Sequence, residues 1–472
     1  MLCVTNTLQA QQNLIEGFDN SLKAVNTTDT LPKIALRKIN ITGNKKTKDY
    51  IILREMLIKP GDSVVTAKLG AVLERDRRYI YNTTLFAEVM IEPVTIDAHN
   101  FDINISVKEK WYIYPLPEFR LVDRSVNEWL SKYKGDLNRV NYGIKFVHYN
   151  LSGRKDQLRI YLLNGYTKNI SFNYKAPYAN SSLTNGFSVG GGFSMSREMA
   201  YKTSYDNQFV YYKKSNFVNT SWSIGGSYSI RKAITKSESF GISYTHLKID
   251  DSVITSKYNP SYINKSSPQI GYFDFSYSLQ FSDVNNVLYP LTGYSASVNL
   301  SKRGRNFKGG VNLFSIQGEL NKYWSLGNKW YVSAQMQGKI KLPLNQPYIN
   351  QQALGYGNTY IRGLEYAVID GVAYALSKYN LKKEILNFSV PTMFKKSKVF
   401  NRIPFRFYAK TFADVGYSYI QERFASRLNN KLLYSGGFGI DIVTFYDIQI
   451  RLEYSINQLG QNRLFLHNEK GF

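Results

Sequence analysis

The sequence predicts a mainly β protein, a 16-stranded transmembrane antiparallel β-barrel preceded by one small α/β domain. Three observations lead there. Aromatic residues make up 15% of the 472 residues, with 38 Tyr and 27 Phe, yet the mean hydropathy is only −0.33. No apolar run approaches the ~18 residues that a membrane-crossing helix needs. Long segments instead alternate apolar and polar residues with a period of two, as strands with one lipid face and one wet face do.

The alternation is clearest in four segments. Phe273, Phe275, Tyr277, Leu279 and Phe281 share one face, with Asp274, Ser276, Ser278 and Gln280 on the other. Around 330–342, Trp330, Val332, Ala334 and Met336 oppose Tyr331, Ser333, Gln335 and Gln337. The segments 218–230 and 448–457 repeat the pattern, the latter setting Ile450 and Leu452 against Arg451 and Glu453. Such a run of half-polar strands fits a wide barrel with a wet lumen better than a compact sandwich. Strands are expected near 111–121, 139–150, 157–166, 169–177, 187–196, 217–231, 239–249, 269–283, 293–303, 310–325, 329–342, 381–392, 404–419, 433–445, 447–458 and 463–472. Sixteen is an even number, as bacterial barrels of this kind have. Gly190, Gly191 and Gly192 read as a bend or bulge, since no helix follows to make a phosphate loop.

Before the barrel, 1–10 reads as the remnant of a signal peptide cut after Ala10, and 11–32 as a polar linker. Residues 33–110 read as strand, helix (48–57), helix (66–82), strand, strand, with a break at Lys59-Pro60-Gly61-Asp62. The lone Cys3 excludes an internal disulfide, although it leaves lipidation open. His99, His148, His246 and His467 are scattered, so no metal, cofactor or catalytic set is expected. The net charge of +25 calls for an anionic partner. No nucleic-acid module is visible, and the charge is dispersed over loops, so a lipid surface rich in phosphates, anionic lipid, is the expected one.

Within 33–110, Ile39-x-Ile41-x-Gly43-Asn44, Pro60-Gly61-Asp62 and Leu85-Phe86-x-x-Val89 occur in an order and spacing that resemble a POTRA domain. In the barrel, Tyr360-Ile361-Arg362-Gly363-Leu364 lies in the longest connection. Glu384 follows in the next expected strand, and Phe412-Ala413-Asp414-Val415-Gly416 in the one after. Together these resemble the Omp85 superfamily, in its BamA-like branch: the Arg-Gly tip of an extracellular loop, and acids on the twelfth and thirteenth strands. Leu364 departs from the aromatic residue usual in the family. The turn through Asp283 and Pro290-Leu291-Thr292-Gly293 also resembles a family turn. A terminal aromatic, here Phe472, resembles the signal by which outer-membrane barrels are recognised for assembly.

The resemblance implies that Arg362 and Gly363 fold into the lumen, with Arg362 tethered to Glu384 and Asp414. Paired carboxylates suit a guanidinium, which binds them through charge-assisted bonds. It also implies a Gram-negative outer-membrane location with the POTRA-like unit in the periplasm. The implied function is noncatalytic assembly of outer-membrane proteins, with unfolded client barrels as partners and other assembly subunits as further ones. Pro115 and Pro117 fall in the first strand and cannot donate to a ladder. Two residues apart, they weaken the same edge, so a lateral seam is expected between this strand and the last one, which ends at Phe472. The alternatives are an outer-membrane pore, a two-partner-secretion type channel, or a structural subunit of an outer-membrane assembly.

Overall fold

A computed structural model describes residues 32–122, 130, 134–305, 310–391, 402–421 and 426–469. The expected signal remnant, Cys3, most of the linker, Lys470 and Phe472 lie outside the described residues.

The small domain comprises β1 (Lys33–Thr42), α1 (Asp49–Leu53), β2 (Ser63–Val65), α2 (Leu69–Tyr81), β3 (Phe86–Thr95) and β4 (Asn100–Glu109). Its sheet order is β2-β1-β4-β3, with β1 and β4 parallel. Ile51, Ile52, Ile80, Phe86, Phe101 and Ile103 are buried between the helices and the sheet. Two features differ from the sequence reading. Ser63–Val65 adds an edge strand too short to show an alternation. The first helix stops at Leu53, because the buried carboxylate of Asp76 captures the backbone N–H groups of Leu57 and Ile58, both at 3.2 Å. Gly43 turns the chain out of β1 at φ +90°, where a Cβ would lie 1.9 Å from the Val107 carbonyl oxygen. Only glycine fits there.

The large sheet runs through β5 (Ile113–Leu121), β6 (Val140–Tyr149), β7 (Gln157–Gly165), β8 (Thr167–Ala176) and β9 (Asn185–Ser196). After a loop hairpin, β10 (Glu198–Thr203) and β11 (Phe209–Lys213), come β12 (Asn219–Ile230), β13 (Lys236–Ile249), β14 (Gln269–Val284) and β15 (Gly293–Arg303). Next are β16 (Leu313–Gly327) and β17 (Trp330–Leu342), then a long loop holding β18 (Gln352–Leu354) and β19 (Ile369–Asp370). The sheet ends with β20 (Ala373–Pro391), β21 (Arg402–Tyr419), β22 (Leu432–Val443), β23 (Gln449–Asn457) and β24 (Asn462–Glu469). These sixteen strands form one sheet in which every neighbour in the order is the next sheet strand in sequence. Sixteen antiparallel strands with apolar residues outside and polar residues inside make a barrel.

The twelfth sheet strand, β20, starts at Ala373, well before the expected 381. Its outward residues Ala373 and Ala375 carry little apolar signal, while inward Tyr374 and Leu376 pack on the long loop, so the alternation is flattened there. Of the bend or bulge expected at Gly190–Gly192, the bulge is absent: these residues pair in unbroken register with Gly225, Ile224 and Ser223. They let strands approach closely, since a Cβ on Gly190 would meet the Phe172 carbonyl oxygen at 2.8 Å.

Outward side chains are exposed, as lipid-facing ones are in isolation; Phe275 is 49% exposed and Ile450 37%. Ser276 lines a lumen cavity beside the Gly- and Ser-rich wall, and Gln335 and Arg451 line another. Spin labels at Phe275, Trp330 and Ile450 should therefore meet a lipid-soluble quencher, and labels at Ser276, Gln335 and Arg451 a water-soluble one. The reverse pattern would remove the barrel assignment.

The small domain docks on the rim formed by the turns after β6, β8, β12, β14 and β22. Arg78 pairs with Asp283 at 2.8 Å, Asn82 donates to the Val284 carbonyl at 2.8 Å, and Tyr81 donates to Asp447 at 2.7 Å. The most buried contact is Glu55, whose carboxylate takes both ends of the Arg231 guanidinium at 2.6 and 2.9 Å and the Tyr178 hydroxyl at 2.7 Å. Burial alone would push the Glu55 carboxyl up, but the Arg231 hydrogen bond and charge outweigh it and hold it at about 2. A lowered carboxyl contributes stability above its ordinary value of 4.5 and loses it as pH falls towards 2. Docking, read as the distance between labels on the small domain and the rim, should hold at pH 5 and loosen below 4.5. Glu55→Gln should loosen it at pH 7, costing about 3–5 kcal/mol because a largely buried guanidinium loses its counter-charge.

Candidate functional site in the lumen and at the sheet's closing edge

The loop between β17 and β20 folds back into the lumen. Its Leu354, Ile361, Leu364 and Ile369 bury against Leu376 of β20 and Leu433 of β22. Leu364 is thus held by aliphatic packing. Gly363 adopts φ +83°, and its carbonyl accepts from the Asn457 amide at 2.8 Å. A Cβ there would come within 3.1 Å of the Ser455 side chain.

Arg362 sits at this tip, 8% exposed, against a fully buried Asp414. Its Nη2 lies 2.5 Å from Asp414 Oδ1, its Nε 3.0 Å from Oδ2, and its backbone N–H donates to the same oxygen at 2.9 Å. The guanidinium carbon stands 4.0 Å over the Phe412 ring. The other Nη donates to Asn380 Oδ1 at 2.5 Å and lies 3.5 Å from Glu453.

Glu384 is not in this cluster, which corrects the sequence reading. The register sets Lys378 opposite Asp414, Asn380 opposite Phe412 and Glu384 opposite Tyr408. Glu384 lies four positions along the strand from Asn380, about 13 Å at ~3.3 Å per residue. Asn380 therefore meets Arg362, while Glu384 lies near the rim carrying the small domain. There it pairs with Lys329 at 3.1 Å and accepts from Tyr408 at 3.2 Å.

Below the tip lies a second network. Lys410 bridges Asp441 and Glu453, the latter at 2.6 Å. Lys382 reaches Asp441 at 3.1 Å and donates to the Tyr289 hydroxyl at 3.1 Å, and that hydroxyl donates to Asp441 at 2.9 Å. Tyr289 comes from the turn after β14. These residues were missed in the sequence, although Lys378, Lys382 and Glu384 already fall on the polar set of β20. Unusual charge on lumen-facing positions of neighbouring strands was the available signal.

His467, read as an isolated strand residue, meets Glu365 of the loop at 3.1 Å and Glu453 at 3.4 Å. The ligand atoms of these three residues lie within 4.8 Å of one another, close enough to suggest a metal site. The ammonium of Lys410 already occupies Glu453, so the group works as a polar clasp between the loop and β24. Tyr366 and Phe465 extend it, with ring centroids 5.7 Å apart.

At the ends of the sheet, β5 pairs with β6 and β24 with β23, and no ladder joins β5 to β24 among the described residues. The Tyr149 N–H donates to the Tyr112 carbonyl, and the Val122 N–H to the Arg139 carbonyl. In the same register, even-numbered residues of β5 bond to β6 and odd-numbered ones face the open edge. Pro115 and Pro117 thus lie on that edge and cost it two donors. Across it, outward Leu464 and Leu466 are 63% and 72% exposed.

Residues 34–110 match the POTRA family model, described as a surface antigen variable number repeat, and residues 150–455 match the Omp85 superfamily domain. The chain belongs to the Omp85 superfamily. Two similar curated proteins carry the name outer membrane protein assembly factor BamA. The one from Neorickettsia risticii is 27% identical over 262 residues, 56% of this chain and 31% of that protein. The one from Nitratidesulfovibrio vulgaris is 34% identical over 79 residues, 16% of this chain and 10% of that protein. The matches thus span less than a third of those relatives' length. Among solved structures, BamA from Haemophilus ducreyi lacking POTRA domains 1–3 is 16% identical, covering 93% of this chain and 83% of that one at TM-score 0.47. CdiB from Escherichia coli is 10% identical, covering 98% and 95% at TM-score 0.46. This Omp85 barrel belongs in a Gram-negative outer membrane, with its POTRA domain in the periplasm. The docked rim is then periplasmic, and the Arg362 loop enters from outside.

Arg362→Ala should make this loop protease-sensitive and lower the melting temperature of the Omp85 barrel, costing about 3–5 kcal/mol, because Asp414 is left buried without its cation. Glu384→Gln should change melting by under about 1 kcal/mol, since its partner Lys329 is largely exposed. Equal effects of the two substitutions would contradict the assignment of the tether.

Proposed function

We propose that this chain assembles outer-membrane β-barrel proteins, offering the open edge of β5 as a template on which an unfolded client strand pairs. The observation that carries this reading is the β5–β24 boundary, where no ladder joins the two strands among the described residues. β5 is bonded on one side, and on the other it keeps donors at Ile113, Phe119 and Leu121 but none at Pro115 or Pro117. A client strand therefore competes with a weak partner. Each backbone hydrogen bond contributes about 0.5–1.5 kcal/mol net, so this line opens more cheaply than any fully bonded ladder.

The periplasmic domain supports the reading by presenting β3, a ten-residue edge strand, at the mouth of the barrel. An extended client segment adds to such an edge through main-chain bonds. No covalent step is involved. Anionic lipid around the basic loops and further assembly subunits are the partners proposed beside the clients. The pore reading is less favoured, because the Arg362 loop occupies the lumen and the POTRA domain covers the periplasmic rim.

A disulfide joining β5 to β24 tests this directly. The oxidised protein should stay folded but lose insertion of a client barrel into liposomes, and reduction should restore it. Insertion at the unlocked rate in the oxidised protein would rule the seam out as the working part.

A further inference from the structure

A lumen cavity of 730 Å³ lies between the Arg362 loop and the walls built by β17, β20, β21, β23 and β24. Its lining cations are Arg362, Lys378, Lys382, Lys410 and Arg451, and the lining carboxylate is Glu453. Asp414 and Asp441, which neutralise part of this charge, are fully buried behind the lining. Five cations against these three carboxylates and Glu365, which bonds the lining His467, leave at least one positive charge in excess. Low-dielectric walls focus that excess into the cavity.

The donors are also unevenly used. Arg362, Lys382 and Lys410 are bonded to carboxylates. The Lys378 ammonium meets the face of Tyr360 at 4.3 Å and donates to no acceptor among the described residues. Its three N–H donors are available to a ligand, and removing them leaves no carboxylate without its partner.

We propose that this cavity binds a small polyvalent oxyanion of the phosphate or pyrophosphate class, held by Lys378 and the excess charge around it. The size suits a small molecule. A divalent cation is disfavoured in the same space, because Lys410 holds Glu453 and the remaining lining charge is positive. A bound oxyanion would bridge the loop, through Tyr360 and Arg362, to the wall at Lys378, and so hold the loop tucked in. This inference stands apart from the assembly function and does not depend on it.

Two sources offer this chemistry, a soluble phosphate compound and a lipid phosphate reaching in past β24. Calorimetric titration of the full chain in neutral detergent at low salt, with pyrophosphate in one arm and dihexanoyl phosphatidic acid in the other, separates them. Saturable one-to-one binding of pyrophosphate supports a soluble ligand; binding of the short-chain lipid alone supports a headgroup. In either case Lys378→Gln should weaken binding about tenfold or more, as loss of a charge-assisted bond does, and Lys378→Arg should retain it. The ligand should also raise the melting temperature of the unsubstituted chain but not of Lys378→Gln. No saturable binding in either arm, or equal binding by Lys378→Gln, would overturn the proposal.

Discussion

Lipid offers no hydrogen-bond partner to a backbone, so every strand in the membrane must bond to a neighbour on each side. That constraint organises the whole chain. From β5 to β24 each neighbouring pair runs in antiparallel register, and the outward residues form the apolar belt. The constraint is relaxed at one line, where β5 meets β24. There the first strand has lost two donors to proline, and no ladder closes the sheet among the described residues.

What holds the barrel's shape at that line is its interior. Arg362 fixes the tip of the long loop to Asp414, and the residues that follow the tip take hold of β24 through His467 and Phe465. The last strand is thus tied to a loop inside the lumen, while the first is tied through Trp111 to Tyr446 on the periplasmic rim. Each edge thus has its own anchor. The ion pairs in the lumen suit this task. Burying them costs desolvation, so they add little stability over an apolar core, but breaking one is expensive and keeps the loop in a single place.

Much of this was legible in the sequence, because period-two alternation survives wherever one face meets lipid and the other water. Strands β14, β17 and β23 could be read that way almost to their ends. Reading failed where the lumen is not wet: the start of β20 is apolar on both faces because the loop packs on it. The short β2 carries no period. Asp414 could be placed from its motif, but Glu384 could not, since its distance from Arg362 depends on the stagger between β20 and β21. Asn380 has no charge to draw attention, and the clasp at His467 joins residues about a hundred positions apart. Glu55 and Arg231 escaped notice for the same reason.

Residue-resolved amide hydrogen exchange on the folded protein tests the central claim that the closing line is the least bonded part of the sheet. The amides of Ile113, Phe119 and Leu121, which face β24, should exchange much faster than those of Tyr114 and Leu116, which face β6, and faster than amides throughout β14, β15 and β16. Protection of all five β5 amides equal to that of β15 would mean that the barrel is sealed at β5, and would contradict the account.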